Sequence, residues 1–394
     1  MARRHSTADR LRWSLAADVC SLVRRTPGIT RAQVARELGI STGTATDLIT
    51  RMRASAILTE AAPVPHGRGR PTSALAPHPR GPLVLAVEIT AAGWRLADAG
   101  IDGRLKHVAH APHNGHDPTD VLTPIRRAIA AETKARTGRV RAVSVTAAAT
   151  VRDGAVVQSS VLDWKRVDLT PLRMPRTTLH VSNDATCAAL AESRRGTSRG
   201  SRAALHLAVL TGVGGGLVLE GAPVLGATGL AMEVGHLPFG DPEAVCDCGA
   251  RGCWDTVLGT KPLAERLRTS DDSQSAVEAA IARQDPAHRT AVAAAAASLG
   301  RGLAGLINTT DPDIVTLGGI APALLTHSRA AFEDSLAKGL MRCLRDDRPR
   351  IAASGLGDDG ALMGAVEIAL DEVASPLGLA EWASDRAVGT GPST

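Results

Sequence analysis

Four side chains between residues 236 and 253 constrain this chain more tightly than anything else in it. His236, Cys246, Cys248 and Cys253 follow the pattern H-x9-C-x-C-x4-C. Three thiolates and one imidazole make a closed tetrahedral Zn2+ site, with no position left for a reactive water. Such a site is structural rather than catalytic, and it forces the chain to double back between its ligands. Gly249 and Gly252 permit the tight turn between the last two cysteines. The N-terminus has arginines but no apolar export segment, which favours metal over disulfides for this cluster. Cys20, Cys187 and Cys343 stand singly among apolar residues, where ordinary buried core is expected.

Charge is placed unevenly. The 394 residues sum to a formal +5, yet residues 1–80 hold 13 arginines, no lysine and five acidic residues. That segment therefore carries +8 and the remainder −3. A basic module on a slightly acidic body points to a polyanion partner for the first 80 residues alone. Two Phe, five Trp and no Tyr leave little with which to stack single-stranded bases. A hydrophobic share of 44% excludes a wholly disordered chain. No run of 18 uncharged apolar residues occurs, so no membrane span and a cytoplasmic location are expected.

Within the basic segment, Leu15–Arg25 reads as a helix broken by Thr26-Pro27-Gly28. Thr30 and Gln33 fit a capping box for a second helix that buries Val34, Ala35 and Leu38. Gly39 is placed to end it and Ser41 to cap a third helix over Thr42–Ala54, burying Ala45, Leu48, Ile49 and Met52. This is helix-turn-helix spacing. The exposed face of the third helix offers Thr42, Thr44, Thr46, Asp47 and Arg51 to base edges and phosphates of double-stranded DNA. Ile57–Glu60 starts a β-wing, and Arg68 and Arg70, flanked by Gly and Pro, suit entry into a minor groove. The alternative for these features is a small helical interaction domain followed by a flexible basic linker.

A winged helix-turn-helix, its His66-Gly67-Arg68-Gly69-Arg70-Pro71 wing and the metal motif resemble transcription regulators of the ROK family (repressors, open reading frames, sugar kinases). The resemblance runs from about residue 10 to about residue 373. Beyond residue 81 the order of strands and helices, βββαβ and again in outline after residue 200, suggests an α/β or α+β body of two lobes. The resemblance implies that this body is an actin-like, ribonuclease H-like fold with a cleft. The expected division is a DNA-binding domain at 1–80, a ROK domain at 81–374 and a loose tail at 375–394.

Asn183-Asp184 follows a strand-like run and precedes a helix-like one, so it suits either sugar hydroxyls or a plain helix cap. In ROK kinases the matching Asp deprotonates the sugar hydroxyl. Glu233-Val234-Gly235-His236 resembles the family's ExGH, in which Glu contacts sugar and His binds zinc. Asp255 stands where the family has a longer, sugar-contacting Glu. Met232 replaces a usual Gly, and Val161 an Asn common before the Trp164 region. The glycines of Thr211–Gly216 and Leu317–Gly319 resemble nucleotide loops, although glycines also serve simple strand turns. Glu88-Ile89-Thr90-Ala91-Ala92 replaces the first phosphate loop, DxGGT, so both glycines that let amides approach phosphate are missing.

These readings converge on a sugar-responsive repressor, not an enzyme, forming a homodimer on a pseudo-palindromic operator, with pairing into tetramers left open. Its expected ligand residues are Asn183, Asp184, Glu233, His236 and Asp255, and its cofactor a structural Zn2+. The alternative is an ATP-dependent sugar kinase with a DNA-binding head.

Overall fold

The computed structural model describes residues 7–61, 73–113, 117–283 and 285–389. The head consists of α1 (Thr7–Arg25), α2 (Arg31–Glu37) and α3 (Thr42–Ala54), followed by β1 (Leu58–Ala61) paired antiparallel with β2 (Ala74–Pro77). Its local signals act as the sequence implies. Thr30 and Gln33 form both halves of the capping box, and the Ser41 hydroxyl accepts from the Thr44 amide. Gly39 takes a left-handed backbone with φ +62°, which turns the chain between α2 and α3. The two strands are the base of the wing. Arg68 and Arg70 lie outside the described residues.

The first lobe contains β3 (Leu83–Ile89), β4 (Gly93–Ala99), β5 (Lys106–Pro112), α4 (Pro118–Ala135), β6 (Val140–Ala147), the small sheet β7 (Thr150–Arg152), β8 (Ala155–Ser159) and β9 (Trp164–Asp168), then β10 (Thr178–Asn183) and α5 (Asp184–Arg195). The second contains β11 (Ala203–Val209), β12 (Val213–Leu219), β13 (Ala222–Pro223), α6 (Thr260–Leu267), α7 (Gln274–Ile281), α8 (Pro286–Thr310), β14 (Ile314–Gly319), α9 (Ala321–Gly339), α10 (Arg342–Asp346) and β15 (Arg350–Ala353). The chain ends in α11 (Gly360–Val373) and α12 (Pro376–Gly389).

The two main sheets repeat one topology. Their orders are β10-β6-β3-β4-β5 and β13-β12-β11-β14-β15. In each, the first three strands of the lobe pair antiparallel and the last two parallel. The βββαβ outline expected from sequence is therefore a duplicated, actin-like α/β body.

Two helices then cross over between the lobes. Helix α5, from the first lobe, packs on β11 and β12, while α11, after the second lobe's last strand, packs on β3 and β6. They meet at Gly364, where a Cβ would lie 1.9 Å from the Cys187 carbonyl oxygen. Glycine is required there because the backbones touch. Helix α8 is long and apolar enough to cross a bilayer, but 61% of its most apolar window is buried inside the fold. It is a core helix packed against α9.

Three expectations are corrected. The segment after Ser375 is no loose tail: α12 packs along α1, and Trp382, 2% exposed, belongs to the head's apolar core. Its indole donates to the Ser55 carbonyl, the residue that caps α3. Helix α1 begins at Thr7 rather than Leu15. Cys343 is exposed on α10, whereas Cys20 and Cys187 are buried as expected. Ile101, in the turn between β4 and β5, is also fully buried in the head core, so body and tail both complete the head.

Replacing Trp382 by Ala removes a large buried side chain and orphans the Ser55 carbonyl. We expect a loss of about 3–5 kcal/mol, read in urea unfolding monitored by probes placed in the head.

Candidate functional site

Site geometry begins at the end of β10. Asn183 caps α5: its side-chain oxygen accepts from the Thr186 amide at 3.0 Å, and its amide donates to the Ala149 carbonyl at 3.1 Å. The helix-cap alternative is thus realised, and one N–H remains for a ligand. Asp184 is the first residue of α5, and its carboxylate accepts from the Ala185 amide at 2.8 Å. It keeps some accessible surface but is crowded by protein on most sides. Burial, with the charges of Glu88 and Glu233 pressing in the same direction, pushes its carboxyl up to about 7.

Glu233 is one of the two carboxylates whose charge acts on Asp184. Burial raises it too, opposed by a hydrogen bond from Thr150 and by His236. Met232 beside it adopts φ +67°, the left-handed conformation in which a glycine is ordinarily found. Its side chain is packed against the second lobe's core, which offsets that strain. Val161 is half-buried in the turn between β8 and β9.

The metal motif closes as its spacing demands. Cys248 and Cys253 sulfurs are 3.6 Å apart, Cys246 Sγ is 3.8 Å from His236 Nδ1, and all four donors lie within 4.8 Å of one another. Tetrahedral ligands at about 2.3 Å put sulfurs about 3.8 Å apart, so the cage fits a metal ion. Burial and the adjacent thiols push Cys253 up to about 12, so three thiolates coexist here only around a cation. Gly249 and Gly252 have φ +93° and +74°, which explains both glycines of the turn.

Asp255 connects this cage to the glycine-rich turn. Its Oδ1 accepts from the Val213 amide at 2.7 Å, and its Oδ2 is 3.8 Å from His236 Nδ1. Burial raises its carboxyl, with the Val213 amide opposing. A Cβ at Gly212 or Gly235 would strike it, while Gly214 and Gly216 accommodate Ala185 and Ala189 of α5. These glycines serve close packing, as does Gly319, whose Cβ would lie 2.0 Å from the Val209 carbonyl.

The second carboxylate acting on Asp184 is Glu88, 7% exposed on β3. Arg95, across the β3–β4 pair, donates from Nε to Glu88 at 2.7 Å and from Nη1 to Asp359 at 3.0 Å. Its Nη2 also donates to the Asp358 carbonyl. Burial still holds the Glu88 carboxyl above its usual range despite this guanidinium. The turn that follows is closed on itself, with the Thr90 amide donating to the Gly93 carbonyl at 2.9 Å. Sequence reasoning missed Arg95, Asp359 and Thr150, because an arginine or threonine on a strand looks like a solvated residue until its facing partner is known.

A profile of the ROK family matches residues 84–372. The chain belongs to the ROK family. An N-acetylgalactosamine kinase, AgaK of Shewanella sp. strain ANA-3, is 33% identical over 180 residues, 42% of this chain and 58% of that protein. The chain thus spans under two thirds of that relative's length. A solved structure described as a ROK family transcriptional regulator, homolog of E. coli Mlc protein, superposes with TM-score 0.75 at 20% identity, covering 95% of this chain and all of that one. A ROK glucokinase from Streptomyces griseus, in complex with glucose and AMPPNP, gives TM-score 0.64 at 22% identity over 73% of this chain and 98% of its own. The regulator likeness includes the head as well as the two lobes; the glucokinase covers a smaller share.

On the DNA-facing side expected from sequence, Thr42, Thr44, Asp47 and Arg51 are exposed and Thr46 is half-buried. Thr44 is bonded to the cap Ser41, and Thr46 to the Thr42 carbonyl. A polar cavity of about 290 Å3 opens beside the metal loop, lined by Ser159, Asp163, Trp164, Lys165 and Asp247 among others. Neither Asp184 nor Glu233 lines it, so it is not the site of those carboxylates.

A carboxyl raised in the folded state binds more protons than in the unfolded chain. Asp184 therefore lowers stability as pH rises from about 3.8 to about 7, with no further loss above. Asp184→Asn should flatten that slope and stabilise the protein by a few kcal/mol at pH 8, measured by urea titration at several pH values.

Proposed function

We propose that this ROK protein is a DNA-binding transcriptional repressor, acting as a dimer, whose operator affinity is set by a sugar or sugar derivative bound beside Asp184. In this reading Asp184 and Glu233 accept hydrogen bonds from sugar hydroxyls, and Asn183 offers its remaining N–H. His236 presents its ring beside them, and Asp255 holds the Gly212–Val213 turn. Zn2+ in the His236–Cys253 cage would fix the segment that carries Glu233. Thr42, Thr44, Thr46, Asp47 and Arg51 would meet the major groove, with Arg68 and Arg70 in the adjacent minor groove.

The observation that carries regulator over kinase is the bridge Glu88–Arg95–Asp359. Its first member, Glu88, stands where the DxGGT segment of ROK kinases begins. Phosphoryl transfer depends on positioning and on charge. Here Ala91 and Ala92 add Cβ atoms, the Thr90 amide is already bonded, and the guanidinium is committed to the protein's own carboxylates. The kinase reading draws on the kinase relatives and on a carboxyl at about 7 suited to deprotonating a hydroxyl. It requires sugar-dependent ATP consumption that Asp184→Asn abolishes.

The deciding experiment is fluorescence anisotropy on a labelled duplex from the protein's own upstream region, at fixed salt. The titration includes hexoses, amino sugars, pentoses and their phosphates. We expect one compound to shift affinity about a hundredfold, a coupling of about 2.8 kcal/mol, and Asp184→Ala or Glu233→Ala to remove that shift. Binding that every compound leaves unchanged would refute the sugar switch. Metal analysis should find one zinc per chain in the wild type, and Cys253→Ala should lose it and lower the thermal midpoint.

A further inference from the structure

We infer that helix α5 carries the state of the cleft to the head, through a joint formed by Arg194, Arg195, Glu367 and Arg24. This inference rests on the regulator reading above and concerns how that same site is regulated. The helix, 12 residues long, starts at Asp184 in the cleft and ends in Arg194 and Arg195. At 1.5 Å per residue it spans about 18 Å, so its two ends serve different places.

Its far end is tied to the head twice. Glu367 on α11 is 2% exposed and collects three guanidinium groups. Arg195 Nε donates to it at 2.5 Å, Arg194 Nη1 lies at 3.2 Å, and Arg24 Nη1, from head helix α1, at 3.4 Å. Asp371 reinforces the group through a two-pronged pair with Arg194 at 2.8 Å and a looser approach to Arg24 at 3.8 Å. The second tie is Arg195 Nη2, which donates to the Asp102 carbonyl at 2.8 Å. Asp102 adjoins Ile101, whose side chain is fully buried in the head core.

The link is stiff in its middle. Gly364 lets α11 press on α5 at the Cys187 carbonyl, so neither helix slides without moving the other. A buried carboxylate with three cationic partners also has a narrow choice of positions, because losing one partner is costly. A shift at Asp184 is therefore delivered to Arg24 and Ile101 rather than absorbed along the way.

Hydrogen exchange measured by mass spectrometry on the full chain at pH 8 tests this without DNA or sugar. At that pH Asp184 is charged and is repelled by Glu88 and Glu233, and Asp184→Asn relieves the repulsion. We expect this substitution to change exchange in residues 42–61 about fivefold or more when Arg24 is present, and to leave it unchanged in an Arg24→Gln background. Arg195→Lys, which keeps the charge but not both contacts, should weaken transmission in the same way and guards against a folding defect in Arg24→Gln. No change in the head, or an equal change in all backgrounds, overturns the joint. The anisotropy titration judges the regulator reading separately, so the two can fail independently.

Discussion

The crossing of α5 and α11 is the contact on which the rest of the molecule depends. Each helix is made by one lobe and packs on the sheet of the other. The exchange is possible because residue 364 has no side chain and so lets the backbone of residue 187 lie against it. From that contact follow the position of Asp184 at one end and the ion-paired joint at the other. The same helix also sets the need for glycine at 214 and 216, since Ala185 and Ala189 leave no room for a Cβ. A glycine-rich strand that reads as a phosphate loop is in large part a packing surface for α5.

The cleft is built from like charges. Glu88, Asp184 and Glu233 are each raised by burial, and Asp184 feels both neighbours. Such a group is stable in a fold only when something else holds it together. On one side the protein supplies Arg95, anchored on Asp359 across the chain. On the other, the His–Cys cage and the Asp255–Val213 bond fix the segment that carries Glu233.

The head is less independent than its place in the sequence implies. Its apolar core receives Ile101 from the body and Trp382 from the C-terminal helix. The indole also reaches the carbonyl at the end of α3, the helix that presents the expected base-contacting residues. Three separated parts of the chain thus share one core, and the orientation of the head is set by the body.

Much was legible in the sequence because it depends on local rules. Capping at Thr30 and Ser41, the left-handed turn at Gly39 and the metal spacing are each fixed by residues a few positions apart. The alternation of strands and helices likewise gave the two-lobed body. Tertiary structure alone decided what joins distant segments: Arg95 with Asp359, Glu367 with Arg24, Trp382 with Ser55. It also decided that Asn183 caps a helix and that the glycines of 212–216 serve packing. The physical reason is one of range. Caps, turns and metal loops close through nearby backbone, whereas a buried ion pair or a shared core exists only once the chain has brought its partners together.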